Sequence, residues 1–534
     1  VSVRYATYDP AVPDDPAADD FATRITAAYA ADGPVVGLGR GVLDGTTHPD
    51  AVVQIPAAMC NRHGLIAGAT GTGKTVTLQV MAEQLSAIGV PVFAADMKGD
   101  LSGVSRPGEP NERLTGRADE LGIEYTPNGS PTCFLALGGV GPGVPVRAPV
   151  SAFGPELLAK ILGANETQRS SLALVFRYAD EHGLPLLDLA DLKAVLHFLT
   201  GDEGKADLKA IGGVSSATAG VLLRSISELE GQGGDSFFGE PEFEVNDLLR
   251  LQGERGVISC LELPAVQERP KLFSTFLMWL LASLFETLPE VGDLDKPKLV
   301  FFFDEAHLLF ADASDAFLDQ VAQTVRLIRS KGVGVFFVTQ LPDDVPDVVL
   351  AQLGNRVQHA LRAHTPRDAK ALKAAVSTYP TTEDYDLEEA LTQLGTGEAI
   401  VTILSEKGAP TPVVWTKVLP PVSLLGAVDP AEVKAAGEAS PLWPKYAAEI
   451  DRDSATELLA AKMGVPNPTA TAAGTTATTA TPGKPKSAGP KLAKASKGHK
   501  APDTSGVTDY LKSREGRSML NTIARGVFSM LKKS

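Results

Sequence analysis

Short continuous apolar runs alternate along this chain with stretches of helical apolar spacing. The runs at 35–43, 52–55, 64–67 and 90–96 each fit a strand, and residues 76–85, between the last two, fit a helix. Strand, helix and strand in that order make a βαβ unit, whose parallel strands are covered on both faces. Further strand runs lie at 133–137, 257–261, 299–303, 333–338, 356–361 and 398–404. Between 151 and 250 the period turns helical, with Leu157, Leu158, Ile161 and Leu162 in one stretch and Leu189, Leu192, Val195 and Leu196 in the next. Glycine pairs such as Gly212-Gly213 punctuate that block. The pattern predicts an α/β fold with a mainly parallel central sheet, interrupted by a helical insertion.

The chain therefore divides into a polar segment at 1–35, the first part of the core at 36–150, the insertion at 151–250, and the second part of the core at 251–425. A helical extension follows at 426–465. Residues 466–505 collapse into Ala, Thr, Gly, Pro and Lys, a composition that buries too little apolar surface to offset ordering entropy, so a disordered linker is expected. The last segment, 506–534, places Leu520, Ile523, Ala524, Val527 and Leu531 at helical spacing among Arg517, Arg525, Lys532 and Lys533, a basic amphipathic helix.

Charge changes the picture more than composition does. Hydrophobic content of 44% and charged content of 21% are those of a globular protein, and the formal net charge of -16 repels nucleic acid and anionic membrane over the surface as a whole. Residues 484–534 hold twelve Lys and Arg against three Asp and Glu, a local +9 that leaves the remainder at -25. Cys60, Cys133 and Cys260 are widely spaced in apolar contexts, which points to neither a disulfide framework nor a zinc site. The longest strongly apolar stretch, 272–285, is too short for a bilayer core of about 30 Å and predicts a buried helix, not a membrane span. The start of the chain, with Asp14, Asp15, Asp19 and Asp20, lacks the form of an export signal, so a cytoplasmic protein is expected.

The chemistry concentrates in two places. Gly68-Ala69-Thr70-Gly71-Thr72-Gly73-Lys74-Thr75 is a complete G-x-x-x-x-G-K-[ST] loop between an apolar strand and the helix that Val76 opens. Its glycines turn backbone N–H groups inward as an anion nest, Lys74 supplies charge for the β- and γ-phosphates, and Thr75 offers its hydroxyl to Mg2+. Far away, the strand Leu299-Val300-Phe301-Phe302-Phe303 ends in Asp304-Glu305. Asp304 at such a strand end holds Mg2+ through water, and Glu305 polarises the attacking water. A third strand ends in Thr339-Gln340, and Gln340 is the candidate γ-phosphate sensor, because ligands of parallel sheets gather at the carboxyl ends of the strands. Asp96-Met97-Lys98-Gly99-Asp100 follows the second strand, as either a site wall or a simple turn.

Asp304-Glu305-Ala306-His307 spells the box of one helicase class, but the second-domain motif Q-R-x-G-R-x-x-R is missing, and His307 is expected to pack at a helix start. No N-K-x-D guanine-reading motif occurs, which favours ATP over GTP. Arginines able to serve as a finger on the transferred phosphoryl group include Arg326, Arg356 and Arg362. Arg329 leads by its spacing from the acids, and Arg62, just before the P-loop strand, is a second candidate within its own subunit.

Together these motifs resemble the HerA/FtsK group of P-loop motors, most nearly a bacterial family with a HerA-like helicase domain. The resemblance rests on the stretch from Arg62 to Thr75, on Phe303 to His307, and on Arg329-Ser330-Lys331-Gly332 running to Val338-Thr339-Gln340. Thr365-Pro366-Arg367-Asp368 and the terminal Arg525-Gly526-Val527-Phe528 add to it. The resemblance implies a RecA-like fold, ATP and Mg2+ as ligands, hydrolysis between subunits of a homo-oligomeric ring, a hexamer by family habit, and movement along double-stranded DNA. It supports Lys74, Thr75, Asp304, Glu305, Gln340 and Arg329 in the roles given above. No full β-barrel is evident before residue 60, so the partner nuclease of archaeal HerA is not implied. The amphipathic tail raises the alternative of an ATP-dependent assembly or remodelling factor that grips a protein partner through its C-terminal helix.

Overall fold

The computed structural model describes residues 16–464, apart from 293, 311–314, 364 and 451. The linker expected at 466–505 and the helix expected at 506–534 lie outside the described residues. In chain order the strands are β1 (Val35–Leu43), β2 (Thr46–Pro56), β3 (Gly64–Ala67), β4 (Val92–Asp96), β5 (Thr132–Leu137), β6 (Val144–Val146), β7 (Leu251–Gln252) and β8 (Arg255–Gly256). They continue with β9 (Ile258–Glu262), β10 (Leu299–Phe303), β11 (Val333–Thr339), β12 (Asn355–His359), β13 (Glu398–Thr402) and β14 (Val414–Val418). Except for the small β7-β8 hairpin, they form one sheet in the order β2-β1-β14-β13-β12-β3-β11-β10-β4-β9-β5-β6. Neighbours from β12 to β6 run parallel. The strands β13, β14, β1 and β2 extend the sheet antiparallel.

The apolar strand runs are continuous because the parallel strands are covered on both sides. Phe301 and Phe303 face one core with Phe93, Phe276 and Trp279, while Val300 and Phe302 face the other with Phe336, Leu78, Met81 and Leu85. The apolar stretch at 272–285 lies in the helix Pro270–Thr287, whose Leu277, Leu280 and Leu284 are buried on the first face. No helix among the described residues is long and apolar enough to cross a membrane.

The helical block stands where the period changes, with helices Val150–Ile161, Glu166–Glu181, Leu189–Thr200, Lys205–Ala210 and Ser216–Leu229. It shares its core with the sheet, since Leu172, Leu192, Leu196 and Leu222 cluster with Phe301 and Phe303. Asp191 ties it to the C-terminal extension: its carboxylate accepts from Thr456 N at 3.0 Å and Thr456 Oγ1 at 2.8 Å, and from Ser454 Oγ. The extension's helix Ala455–Met463 thus docks on the insertion.

Two expectations need correction. Residues 1–35 are not uniformly polar: the helix Pro16–Ala28 buries Phe21 and Ile25 against the second core. Their four-residue spacing was masked by the surrounding Asp and Pro. The strand runs also omitted β14, where Val414, Thr416 and Val418 are buried and alternate with half-buried Trp415 and Lys417, the signature of an antiparallel strand.

Candidate active site

The register brings Ala67 of β3, Thr339 of β11, Phe303 of β10, Asp96 of β4 and Glu262 of β9 to one sheet edge. The loop after β3 is slung between its neighbours: Gly68 N donates to Thr339 O at 3.2 Å and Ala69 N to Ala360 O at 2.8 Å. Two positions there require glycine. A Cβ at Gly68 would stand 2.5 Å from His359 Cβ, and one at Gly73, with φ +118°, would stand 3.1 Å from the backbone of Gly397.

Thr70 and Gly71 form the exposed tip of the loop, Thr72 Oγ1 donates back to Ala69 O at 2.7 Å, and Gly397 N donates to Thr72 O at 2.8 Å. The helix Lys74–Ala87 starts directly behind the loop, and no side chain caps its first N–H groups. Those N–H groups and the helix dipole make an anion site. Lys74 is buried and donates Nζ to Gly68 O at 2.7 Å and Ala69 O at 3.2 Å, both in its own loop. Burial works against its charge and lowers its pKa, with the nearby Glu305 and Asp304 opposing and Lys98 assisting. A cradle of glycines, an uncapped helix start and a buried cation fit a polyphosphate. Thr75 is half-buried in the first turn, and Val76 packs beside Val80, Leu121 and Leu419.

Only β11 separates the loop's strand from β10, whose end carries the acids. Asp304 is buried, and burial together with the Glu305 charge pushes its carboxyl up to about 7. A divalent cation would ionise such a group, so the donor set fits Mg2+ held by Asp304 and Thr75. Glu305 is also buried and adopts φ +47°, left-handed and strained for a non-glycine residue. Its Oε1 pairs with the Lys98 ammonium, and its Oε2 lies 3.3 Å from His307 Nδ1. Burial opposes the charge of Glu305, but Lys98 outweighs it and holds the carboxyl below its ordinary range. His307 opens the short helix His307–Phe310 beside that carboxylate.

Gln340 is exposed just past the end of β11, where Asp344 Oδ2 fixes the turn by accepting from Thr339 Oγ1 at 2.7 Å and Leu341 N at 2.8 Å. Arg329 is exposed before β11, at the opposite edge of the sheet. With seven residues of strand between them, Arg329 and the acids are separated by roughly 20 Å. Arg62 likewise precedes β3 at that far edge, so a finger role within its own subunit does not fit. That placement follows from chain order alone, since a residue before a strand lies at its amino end and the loop after it at its carboxyl end.

Four residues at this edge were not singled out by sequence, or were left open. Lys98 is reached through Asp96, whose carboxylate accepts from Lys98 N, Gly99 N and Leu101 N at 3.1, 2.7 and 2.8 Å. The segment is thus a turn and a site wall at once. His359, at the end of β12, accepts or donates at 2.9 Å with Thr77 Oγ1 and pairs with Glu398 O at 2.8 Å. Burial lowers its pKa to about 4, so it supports the loop as a neutral ring. Arg117 donates to Thr396 O at 2.9 Å and Gly397 O at 3.0 Å, bracing the strap that touches Thr72. Glu262 is buried with Oε1 unpartnered, and burial, then Asp96 and Asp100, raise it to about 8. The only sequence signal for Lys98 was a lysine two residues after a strand-end acid.

A model of the family described as Helicase HerA-like C-terminal matches residues 42–533. Probable helicase MJECL08 of Methanocaldococcus jannaschii is 33% identical over 123 residues, which are 22% of this chain and 22% of that protein. That match spans about a fifth of the relative's length. Among solved structures, plasmid coupling protein TrwB in complex with ADP and Mg2+ gives a TM-score of 0.51 at 16% identity, covering 77% of this chain and 94% of that chain. The same protein with the non-hydrolysable ATP analogue ADPNP gives 0.51 at 16%, covering 76% and 94%. At such identity the likeness establishes the shared P-loop fold.

Proposed function

This chain belongs to the Helicase HerA-like C-terminal family, and we propose that it is a Mg2+-dependent ATPase that works as a homo-oligomeric ring, hexameric by the resemblance, with double-stranded DNA as its track. One observation carries the ATPase reading: the P-loop and Asp304-Glu305 meet at one sheet edge, a single strand apart, although more than half of the described chain separates them in sequence. Lys74 exchanges its loop carbonyls for phosphate oxygens, Glu305 takes the proton of the attacking water, and Gln340 orients that water. Thr75 and, through water, Asp304 would hold Mg2+, which when bound would supply positive charge against the β- and γ-phosphates. Arg329, at the far edge of its own sheet, serves the site of a neighbouring copy; its exposure supports that role. The setting is a reducing cytoplasm, in keeping with three buried free thiols.

The acidic body favours DNA only where basic segments supply phosphate contacts. ATPase turnover measured with and without duplex DNA across a salt series, on protein of known oligomeric mass, tests the reading. Stimulation by DNA that fades as salt rises is expected. Turnover indifferent to DNA and salt would sink the DNA track while leaving the ATPase standing. The apolar spacing of Leu520, Ile523, Val527 and Leu531 favours a second reading, a remodelling factor that grips a protein partner. Deletion of residues 505–534 would then abolish partner recovery with basal hydrolysis intact.

A further inference from the structure

Glu305 Oε1 is engaged by the Lys98 ammonium, while Oε2 lies 3.3 Å from His307 Nδ1 without a hydrogen bond to it. A carboxylate paired with an ammonium is a weaker proton acceptor than a free one. The two partners of the ion pair differ in freedom: the Glu305 side chain is 8% exposed, whereas that of Lys98 is 46% exposed. Lys98 has four rotatable carbons above a turn whose backbone is fixed by three hydrogen bonds to Asp96. Lys98 meets Glu305 at the sheet edge that carries the phosphate cradle, with only β10 and β11 between its own strand and the loop's, and its charge bears on Lys74. An ion pair serving stability alone would gain little from so exposed a cation, and it would not need Glu305 in a left-handed backbone conformation.

We propose that Lys98 is a two-partner cation that exchanges between the Glu305 carboxylate and the terminal phosphate of a nucleoside triphosphate, so that engaging the third phosphate and freeing Glu305 are one event. A diphosphate ends one phosphate short of Lys98 and leaves the ion pair in place. Lys98 is therefore a positioning residue for Glu305 and a determinant of triphosphate over diphosphate preference. This rests on the ATPase reading above.

The test is nucleotide affinity, read by calorimetry on the full chain with Mg2+, using ADP and a non-hydrolysable ATP analogue as probes. Lys98→Ala is expected to weaken the analogue about tenfold to a hundredfold while leaving ADP nearly unchanged, the size of a lost charge-assisted hydrogen bond. Lys98→Arg keeps the cation and is expected to restore most of the preference. The Glu305→Gln change is expected to tighten the analogue more in the Lys98 background than in the Lys98→Ala background, because only the former has a cation to release. Equal tightening in both backgrounds, or an unchanged preference in Lys98→Ala, overturns the proposal while the ATPase reading survives. Failure of the unmodified protein to bind the analogue, or Lys74→Ala binding it as well as the unmodified protein, refutes the ATPase reading instead and this inference with it.

Discussion

The two halves of the site are built in opposite ways. The phosphate cradle comes from eight contiguous residues: strand end, glycine loop and helix start follow one another, and Lys74 contacts carbonyls only five and six positions back. The acidic half is assembled from two separated segments: the turn carrying Asp96 and Lys98, and the β10 end, where Asp304 and Glu305 run into the helix His307–Phe310. The contiguous cradle takes its shape from its own backbone and is pinned at Gly68, Ala69 and Thr72 by neighbouring segments. An assembled half depends on which strands are neighbours.

Breaking each half in turn gives the largest expected contrast. Glu305→Gln removes the proton acceptor while sparing the cradle, so turnover should fall by about 10²–10⁴-fold with nucleotide still bound. Lys74→Ala should lose nucleotide affinity itself. Steady-state turnover together with equilibrium binding checks this, and identical defects in the two variants would show that the halves are not separable.

That contrast also sets what was legible. Lys74, Thr75 and the turn glycines follow from the motif, because the chemistry and the spacing lie in the same few residues. Phe301 and Phe302, facing opposite cores, follow from a fully apolar parallel strand. Asp304 and Glu305 were legible as a strand end, whereas their partner Lys98 was not, since nothing local says that β4 lies beside β10. His359 was hidden for the same reason: its meeting with Thr77 depends on β12 pairing with β3, a contact spanning 282 residues. The helix Pro16–Ala28 escaped because Phe21 and Ile25 are too few apolar positions to stand out from their acidic neighbours.

A smaller effect sharpens the contiguous side. Gly73→Ala places a Cβ at φ +118° against the Gly397 backbone, which neither rotamer choice nor a flexible neighbour relieves. The strain should destabilise the fold by about 1–3 kcal/mol and weaken nucleotide binding together with it. Urea unfolding and analogue binding would report the two losses. A Gly71→Ala control, at the exposed tip where φ is +78° but the space is open, should keep the strap intact and cost less.

The smallest effect concerns the support beneath the cradle. His359 is buried, and burial, opposed by the Glu398 carbonyl and assisted by the Lys74 charge, lowers its pKa from 6.5 to about 4. In the unfolded chain the ring takes its proton near the ordinary value, while the folded ring does so only near 4. Its contribution is therefore fully present above pH 6.5 and drains away as pH falls from 6.5 towards 4. Between about pH 7.5 and 5.5 the loss should be about 1 kcal/mol. His63, buried at the opposite edge with Nδ1 accepting from Val335 N at 3.1 Å, is lowered to about 4 by the same cause. His359→Gln should accordingly remove one of two equal slopes from urea unfolding measured across that range, and His63→Gln the other. Only the first should also loosen the cradle, because Thr77, one helical turn into the helix behind the loop, loses its ring partner. Equal effects of the two variants on analogue binding would show that His359 supports the fold generally and not the loop above it.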